Sequence, residues 1–307
     1  MVKNKIKKIC IVMLEYQNPK MTLETLDSLK KVLVPVGYTN QIIVIDNSPV
    51  PDGTLEIALK KRKSIQLIIT NQNTGFAAGN NLGIKKGLKK KFDLFLLINN
   101  DVEVDKYFLK HLLKAAKSGA DLVVPKIYFA KGYEYHKDKY KKSELGKVIW
   151  YAGGYFDWNN VFAKHIGVDE VDKGQYDRPK PIDFANACCL LVKREVFNTI
   201  GLFDSKYFLY FEDADFSYRA FKYGFKILYE PKSFIYHKSS TSSGSGSKLH
   251  DYYITRNRLI FGMKYASLRV KFALIRQALK QIISGREGEK QAVKDFFLNR
   301  LGKGTLI

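Results

Sequence analysis

The sequence predicts an α/β protein: a doubly wound, mostly parallel sheet followed by a helical C-terminal extension. Three observations predict it. Short apolar runs alternate with helix-period segments in the first third of the chain, each run ends in polar residues, and residues 248–307 are basic with apolar residues at helical spacing.

The runs Ile9 to Leu14, Ile42 to Ile45, Ile65 to Ile69 and Leu94 to Ile98 are unbroken and rich in Ile, Val and Leu. Strands covered on both faces read that way. Between them lie helical segments: Thr22 to Val32, with Leu23, Leu26 and Leu29 on one side, then Thr54 to Lys61, then Asn80 to Lys90. Right-handed crossovers make the resulting sheet parallel, and ligands of such sheets sit beyond the carboxyl ends of the strands. Those ends read Leu14-Glu15-Tyr16-Gln17, Asp46-Asn47-Ser48, Thr70-Asn71-Gln72-Asn73 and Asn99-Asn100-Asp101. Further on, Asp105 to Lys117 reads as a helix, Asp121 to Phe129 as a strand and Gly132 to Lys147 as a loop. Aromatic residues crowd Trp150 to Phe162, as in a hairpin or the wall of a site. Phe184 to Val192 reads as a buried strand with a helix from Arg194, and Ser239 to Ser247 as a mobile lid or linker.

At 307 residues and 46% hydrophobic content the chain can bury a large core and is not disordered. No apolar stretch is long enough to span a bilayer, and the basic N-terminus lacks the apolar core of a leader peptide. Cys10, Cys188 and Cys189 form neither a disulfide framework nor a spaced metal motif, so a cytoplasmic location is expected. The net charge of +22 calls for an anionic partner or surface. No nucleic-acid-binding signature is present, and no specific nucleic acid is expected. Residues 248–307 carry 13 Lys and Arg against 4 Asp and Glu. Within them Leu268, Phe272, Ile275, Leu279 and Ile282 recur at helical spacing, flanked by Arg269, Lys271, Arg276 and Lys280. Such a helix can lie on anionic lipid headgroups at the inner face of a membrane, or pack on the main domain with its basic face in water. The sequence weighs these equally.

Several positions could carry chemistry. Asp46 could accept hydrogen bonds from a nucleoside, or simply start a turn. The small residues from Asn73 to Asn81 could let an anionic ligand reach the backbone at a helix start, although neither GxxxxGK[ST] nor GxGxxG occurs. Asp101 ends an apolar strand, where a carboxylate can hold a magnesium-type cation together with substrate phosphates. His237 could complete that shell or be a plain core histidine. Glu212 and Asp213 open a helix, where acids favour the dipole, and where one of them could take a proton from an attacking alcohol.

Taken in order, IKKICIVMLEYQN, IIVIDNSP, NTGFAAGNNLGIKKG, LFLLINNDVEVD, VIWYAGGYFDW, FANACCLLVKREVFNTIGLFD, YFLYFEDADFSYRAFKYGFKILY, IYHKSS and YYITRNRLIF resemble family-2 glycosyltransferases of the GT-A fold, in the rhamnosyltransferase-like and galactofuranosyltransferase-like branch. The resemblance covers roughly residues 6–262. It implies a Rossmann-like sheet with a mixed C-terminal half, a GT-A domain over residues 1–247, and a basic extension over 248–307. Residues 1–105 would form its nucleotide-binding half, and 106–247 its acceptor and catalytic half. It also implies roles. Leu14, Tyr16, Asp46, Gly75, Asn80, Asn100 and Asp101 would bind the donor. Asp101, the acid remaining from the family's DxD motif in Asn99-Asn100-Asp101, would hold Mn or Mg together with His237. Asp213 would be the general base. Trp150, Gly153, Gly154, Asn186 and Glu212 would face the acceptor.

The expected activity is inverting, metal-dependent transfer of a sugar from a nucleotide sugar, with dTDP-rhamnose as best guess, to a hydroxyl of a cell-surface glycan or lipid-linked acceptor. UDP-galactofuranose, UDP-glucose and UDP-N-acetylglucosamine are alternative donors. A sugar nucleotidyltransferase or a non-catalytic basic binding module are the readings outside the class.

Overall fold

A computed structural model describes residues 6–62, 64–239 and 247–306. The expected lid or linker Ser239 to Ser247 falls, apart from its two end residues, outside the described residues. The first half runs β1 (Lys7–Glu15), α1 (Pro19–Lys30), β2 (Tyr38–Asp46), α2 (Thr54–Leu59), β3 (Ile65–Ile69), α3 (Gly75–Lys89), β4 (Leu94–Asn99), β5 (Val102–Val104) and α4 (Phe108–Lys117). The second half runs β6 (Leu122–Phe129), β7 (Ile149–Tyr151), β8 (Gly154–Asp157), β9 (Phe162–His165), β10 (Lys180–Pro181), β11 (Cys189–Lys193), α5 (Arg194–Ile200), α6 (Glu212–Lys222) and β12 (Ile227–His237). Three helices follow: α7 (Lys248–Tyr265), α8 (Leu268–Ser284) and α9 (Glu287–Phe297).

The main sheet has the order β10-β12-β6-β11-β4-β1-β2-β3, with β5 on β12 and β7 on β6. Strands β4, β1, β2 and β3 are parallel, as the alternating pattern predicts. Strand β11 is antiparallel to both β4 and β6, which makes the second half mixed. β1 lies inside the sheet with Ile9, Cys10, Val12 and Met13 fully buried. Helix α3 lies close on it because three glycines one turn apart face the strand. A Cβ on Gly79 would come 2.5 Å from Leu14, one on Gly83 2.5 Å from Val12, and one on Gly87 2.5 Å from Phe95. The small residues of this segment therefore serve helix–sheet approach.

Two sequence expectations shift. The run Phe184 to Val192 is a strand only from Cys189 onward. Before that, three of its amides bond to side chains instead of a ladder, Ala185 N–H to Ser217, Ala187 N–H to Asp213 and Cys188 N–H to Asn186, while Phe184 N–H bonds to the Gly154 carbonyl. Helix α3 starts at Gly75, five residues ahead of the apolar periodicity. The aromatic crowd at residues 150–162 includes a hairpin that packs on α7. β8 pairs with β9, and Phe156 and Trp158 stack on Phe261 of α7.

The C-terminal helices join the same hydrophobic core as the sheet, through Leu259, Phe261, Leu274, Ala278 and Val293. No helix among the described residues is long and apolar enough to cross a membrane.

Candidate active site

The strand ends and the start of α6 bring Asp101, His237, Trp150, Asn186 and Asp213 to one region. Asp101 follows β4 and His237 closes β12; antiparallel pairing of β12 with β5 holds them together, with His237 opposite Val102. Asp101 Oδ2 stands 3.2 Å from His237 Nε2, and both residues are buried. His237 Nδ1 is buried with no hydrogen-bond partner among the described residues, so the ring's polar contact lies on the Asp101 side.

Contacts continue from this pair towards Asp213. Trp150 packs edge-on against His237 and, equally, against His165, with ring centroids 4.6 Å apart in each case. His165 Nδ1 lies 3.1 Å from the Trp150 carbonyl, and Nε2 lies 3.3 Å from the Asn186 side-chain amide. Burial pushes His165 down to about 4, so it is neutral. A carbonyl can only accept, which assigns the proton to Nδ1 and leaves Nε2 to accept from Asn186. Asn186 Oδ1 in turn accepts from Cys188 N–H, and the intervening Ala187 N–H donates to Asp213 Oδ2 at 3.3 Å. Asp213 Oδ1 accepts from Ala214 N–H at 2.8 Å.

The two acids at the head of α6 differ. Burial raises the Asp213 carboxyl to about 6, against backbone hydrogen bonds that lower it. Glu212 is pushed well above the usual carboxylate range, by burial first and then by the Asp213 charge. Its Oε2 is buried with no partner among the described residues. Burial thus opposes the charged form of both neighbouring carboxyls, and the Asp213 charge opposes that of Glu212 further.

The turn ahead of α6 is strained. Phe208, Tyr210 and Phe211 all have positive φ, at 64°, 67° and 71°. Such residues cost energy unless the surroundings over-determine them. Here α7 does so. The Asn257 side-chain amide lies 2.8 Å from each of the carbonyls of Tyr207, Leu209 and Tyr210. Arg256, fully buried, donates to the carbonyls of Tyr207 and Gly302. Asp215 ties α6 to the same helix through Lys264 and Tyr265.

At the other strand ends, Asp46 is buried at the end of β2 and accepts from Ser48 N–H. Glu15, at the paired end of β1, is pushed up to about 7 by burial and by a hydrogen bond with Asp46. Leu14 is half-buried, and Tyr16 is 45% exposed at the strand end. Three predicted donor residues are turned into the protein. Asn80 donates to the Phe76 carbonyl within its own helix. Asn100 donates to Thr22 of α1. The space above Gly75 is filled by Phe208, whose ring and carbonyl a Cβ would meet at 2.5 Å. Gly153 and Gly154 likewise have packing reasons: a Cβ would press on Ile182 in the first case and Phe184 in the second.

Sequence reasoning assigned no role to Glu15, His165, Arg256 or Asn257. The last two stand in the quoted phrase YYITRNRLIF, where polar residues inside an apolar helix signal buried hydrogen bonding.

Among the described residues, no group of three or more His, Cys, Asp and Glu side chains is arranged to hold a cation. Asp101 and His237 could supply two ligands. Adjacent ligands of an octahedral ion at ~2.1 Å stand about 3 Å apart, close to the observed 3.2 Å. Hard cations of this kind commonly take their other ligands from water and substrate phosphate, so the pair fits a divalent ion that arrives with a diphosphate.

The mixed sheet with its parallel N-terminal half and the helices on it form a GT-A-like α/β architecture, and residues 10–201 match the model of the family described as Glycosyl transferase family 2. The chain belongs to that family. It is 25% identical over 219 residues to an N-acetylglucosaminyl-diphospho-decaprenol L-rhamnosyltransferase of Mycobacterium tuberculosis, covering 68% of this chain and 70% of that protein. It is 23% identical over 276 residues to the dTDP-rhamnosyl transferase RfbF of Shigella flexneri, covering 85% and 84%. A low-salt glycan biosynthesis hexosyltransferase, Agl10 of Haloferax volcanii, is 23% identical over 196 residues, 63% of this chain; the match spans only 57% of that protein's own length. Among solved structures, GalNAc-T7 with UDP, GalNAc and Mn2+ superposes with a TM-score of 0.59 at 16% identity, covering 92% of this chain and 58% of that one. That likeness shows the fold.

Proposed function

We propose that this chain is an inverting, metal-dependent glycosyltransferase that moves rhamnose from dTDP-rhamnose to a hydroxyl of a cell-surface or lipid-linked glycan. The observation that carries the reading is the unbroken series of contacts from the Asp101–His237 pair, across Trp150, His165 and Asn186, to the backbone that holds Asp213. Two relatives whose names specify rhamnosyl transfer support the choice of sugar.

In this reading Tyr16 and Asp46 receive the nucleoside at the ends of β1 and β2, and Asp101 and His237 would hold a divalent cation. When bound there, such an ion would supply positive charge to offset that developing on the leaving diphosphate. Asp213 takes the proton of the acceptor hydroxyl while that oxygen forms its bond to the anomeric carbon. The bond to the diphosphate breaks on the opposite face, and the single displacement inverts the centre. A carboxyl held at about 6 is ionised at neutral pH yet more basic than an exposed aspartate. Trp150, Asn186 and Glu212 line the acceptor side. The free, buried Cys10, Cys188 and Cys189 suit a reducing cytoplasm.

The test is a panel of dTDP-rhamnose, UDP-galactofuranose, UDP-glucose and UDP-N-acetylglucosamine, each with manganese. Selective thermal protection by dTDP-rhamnose, followed by transfer with inverted anomeric configuration, is expected. Protection by another member reassigns the sugar. Protection by none, or pyrophosphate release from a nucleoside triphosphate, overturns the reading.

A further inference from the structure

Helix α8 has two apolar faces, and the fold uses only one. Leu274 and Ala278 are buried in the core, and Val270 and Ile282 pack against it. The sequence stripe lies largely elsewhere. Leu268 is 74% exposed, Phe272 76%, Leu279 52% and Ile283 79%, with Ile275 half-buried among them. At about 100° per residue these five positions form one band along the helix, rotated by roughly a quarter turn or more from the buried face. Large apolar side chains exposed in a row, rather than scattered singly, mark a contact surface.

The charges beside the band say what it contacts. Exposed Arg269, Arg276 and Lys280 run along one edge, and Lys271 lies on the other side. Helix α8 contains no acidic residue. Two copies meeting through this face would set like charges against each other. An anionic bilayer accepts the apolar side chains below its headgroups and pairs the basic rows with phosphate.

We propose that α8 is a membrane-docking helix that lies in the plane of an anionic lipid surface, inserting Leu268, Phe272, Leu279 and Ile283. The inference does not depend on which sugar is transferred. It also resolves the two alternatives left open by the sequence: α8 packs on the protein and still presents an unused amphipathic face outward.

The full chain is mixed with vesicles of neutral phosphatidylcholine alone or with phosphatidylglycerol at physiological ionic strength, and sedimentation is measured. Binding to the anionic vesicles only is expected. Replacing Leu268, Phe272, Leu279 and Ile283 together by Ser should abolish it with unchanged thermal unfolding, since these side chains are outside the core. Neutralising Arg269, Arg276 and Lys280 to Gln should weaken it on the order of 100-fold, at roughly fivefold per charge removed. No sedimentation of the unaltered protein, or sedimentation unaffected by the Ser substitutions, overturns the proposal. So does a concentration-dependent dimer in solution that the Ser substitutions dissociate. Nucleotide-sugar protection is measured on the same preparations, so loss of vesicle binding is distinguished from failure of the transferase reading.

Discussion

The carbonyl of Phe208 accepts a hydrogen bond from Phe76 N–H at 2.6 Å, with Ala77 N–H at 3.3 Å. The turn that carries Asp213 and the first turn of α3 are thereby one unit, although more than a hundred residues separate them. Asn257 grips the same turn from the other side. The C-terminal extension is thus part of what fixes the site, and the sheet alone would leave the left-handed residues 208, 210 and 211 unsupported.

Replacing Asn257 by Ala should cost both stability and turnover. Removing the amide leaves the Leu209 and Tyr210 carbonyls without their side-chain donor, while Tyr207 keeps Arg256. Each hydrogen bond lost costs about 0.5–1.5 kcal/mol net, so a loss of roughly 1–3 kcal/mol is expected in denaturant unfolding. Misplacing the base by about 1 Å can cost on the order of 100-fold. kcat should therefore fall even at temperatures where the variant is fully folded.

Gly75→Ala tests the other grip. The backbone there has φ +81°, and the added methyl carbon would sit 2.5 Å from the Phe208 carbonyl and ring. Left-handed strain and overpacking each cost roughly 1–3 kcal/mol. The variant should melt lower and lose turnover. An unchanged melting temperature would show that the turn yields easily and is not clamped from α3.

The Asp213 carboxyl gives a pH signature with a definite sign. Its native value is about 6, against about 4 in the unfolded chain. The native state holds the proton more tightly, so this contribution to stability is complete below about pH 4 and is lost as the pH rises through about 6. Asp213→Asn escapes that loss. The melting temperature of the variant relative to the parent should climb between about pH 4 and 7. Activity moves oppositely: kcat/KM of the parent should fall on the acid side of about pH 6, and the variant should lose ~10²–10⁴-fold with donor binding kept. A variant with near-parental turnover would remove Asp213 from the reaction.

The parallel half of the sheet was legible because strands buried on both faces read as unbroken apolar runs, and β3 has the predicted ends Ile65 and Ile69. The strand ends exposed Asp46 and Asp101 for the same reason. What was not legible depends on contacts distant in sequence. Residues 184–188 look like strand from their apolar character, but the side chains of Ser217, Asp213 and Asn186 take up the amides of Ala185, Ala187 and Cys188. His165 gives no local signal, since its place is set by Trp150 and Asn186. Gly75 and Asn80 suggested room for a ligand, whereas Phe208 fills the one and the Phe76 carbonyl engages the other. Periodicity also found the α8 stripe but not which side the core would use, because Leu274 and Ala278 are as apolar as the residues left outside.

Removing the cation should expose the separate contributions of Asp101 and His237. The two side chains are 3.2 Å apart and supply two protein ligands at most; a diphosphate must supply others, so metal and donor should bind with mutual enhancement. Chelation should abolish thermal protection by the nucleotide sugar, and manganese should restore it. In His237→Ala the manganese needed for half-maximal protection should rise by at least about tenfold, while the fold survives, because the lost ring leaves the β5–β12 pairing intact. Asp101→Asn should do the same and also lower turnover, since a neutral amide offsets less of the cation's charge. If chelator leaves donor binding unchanged in the parent protein, the Asp101–His237 pair is a structural contact between β4 and β12 and the cation has no place in the reaction.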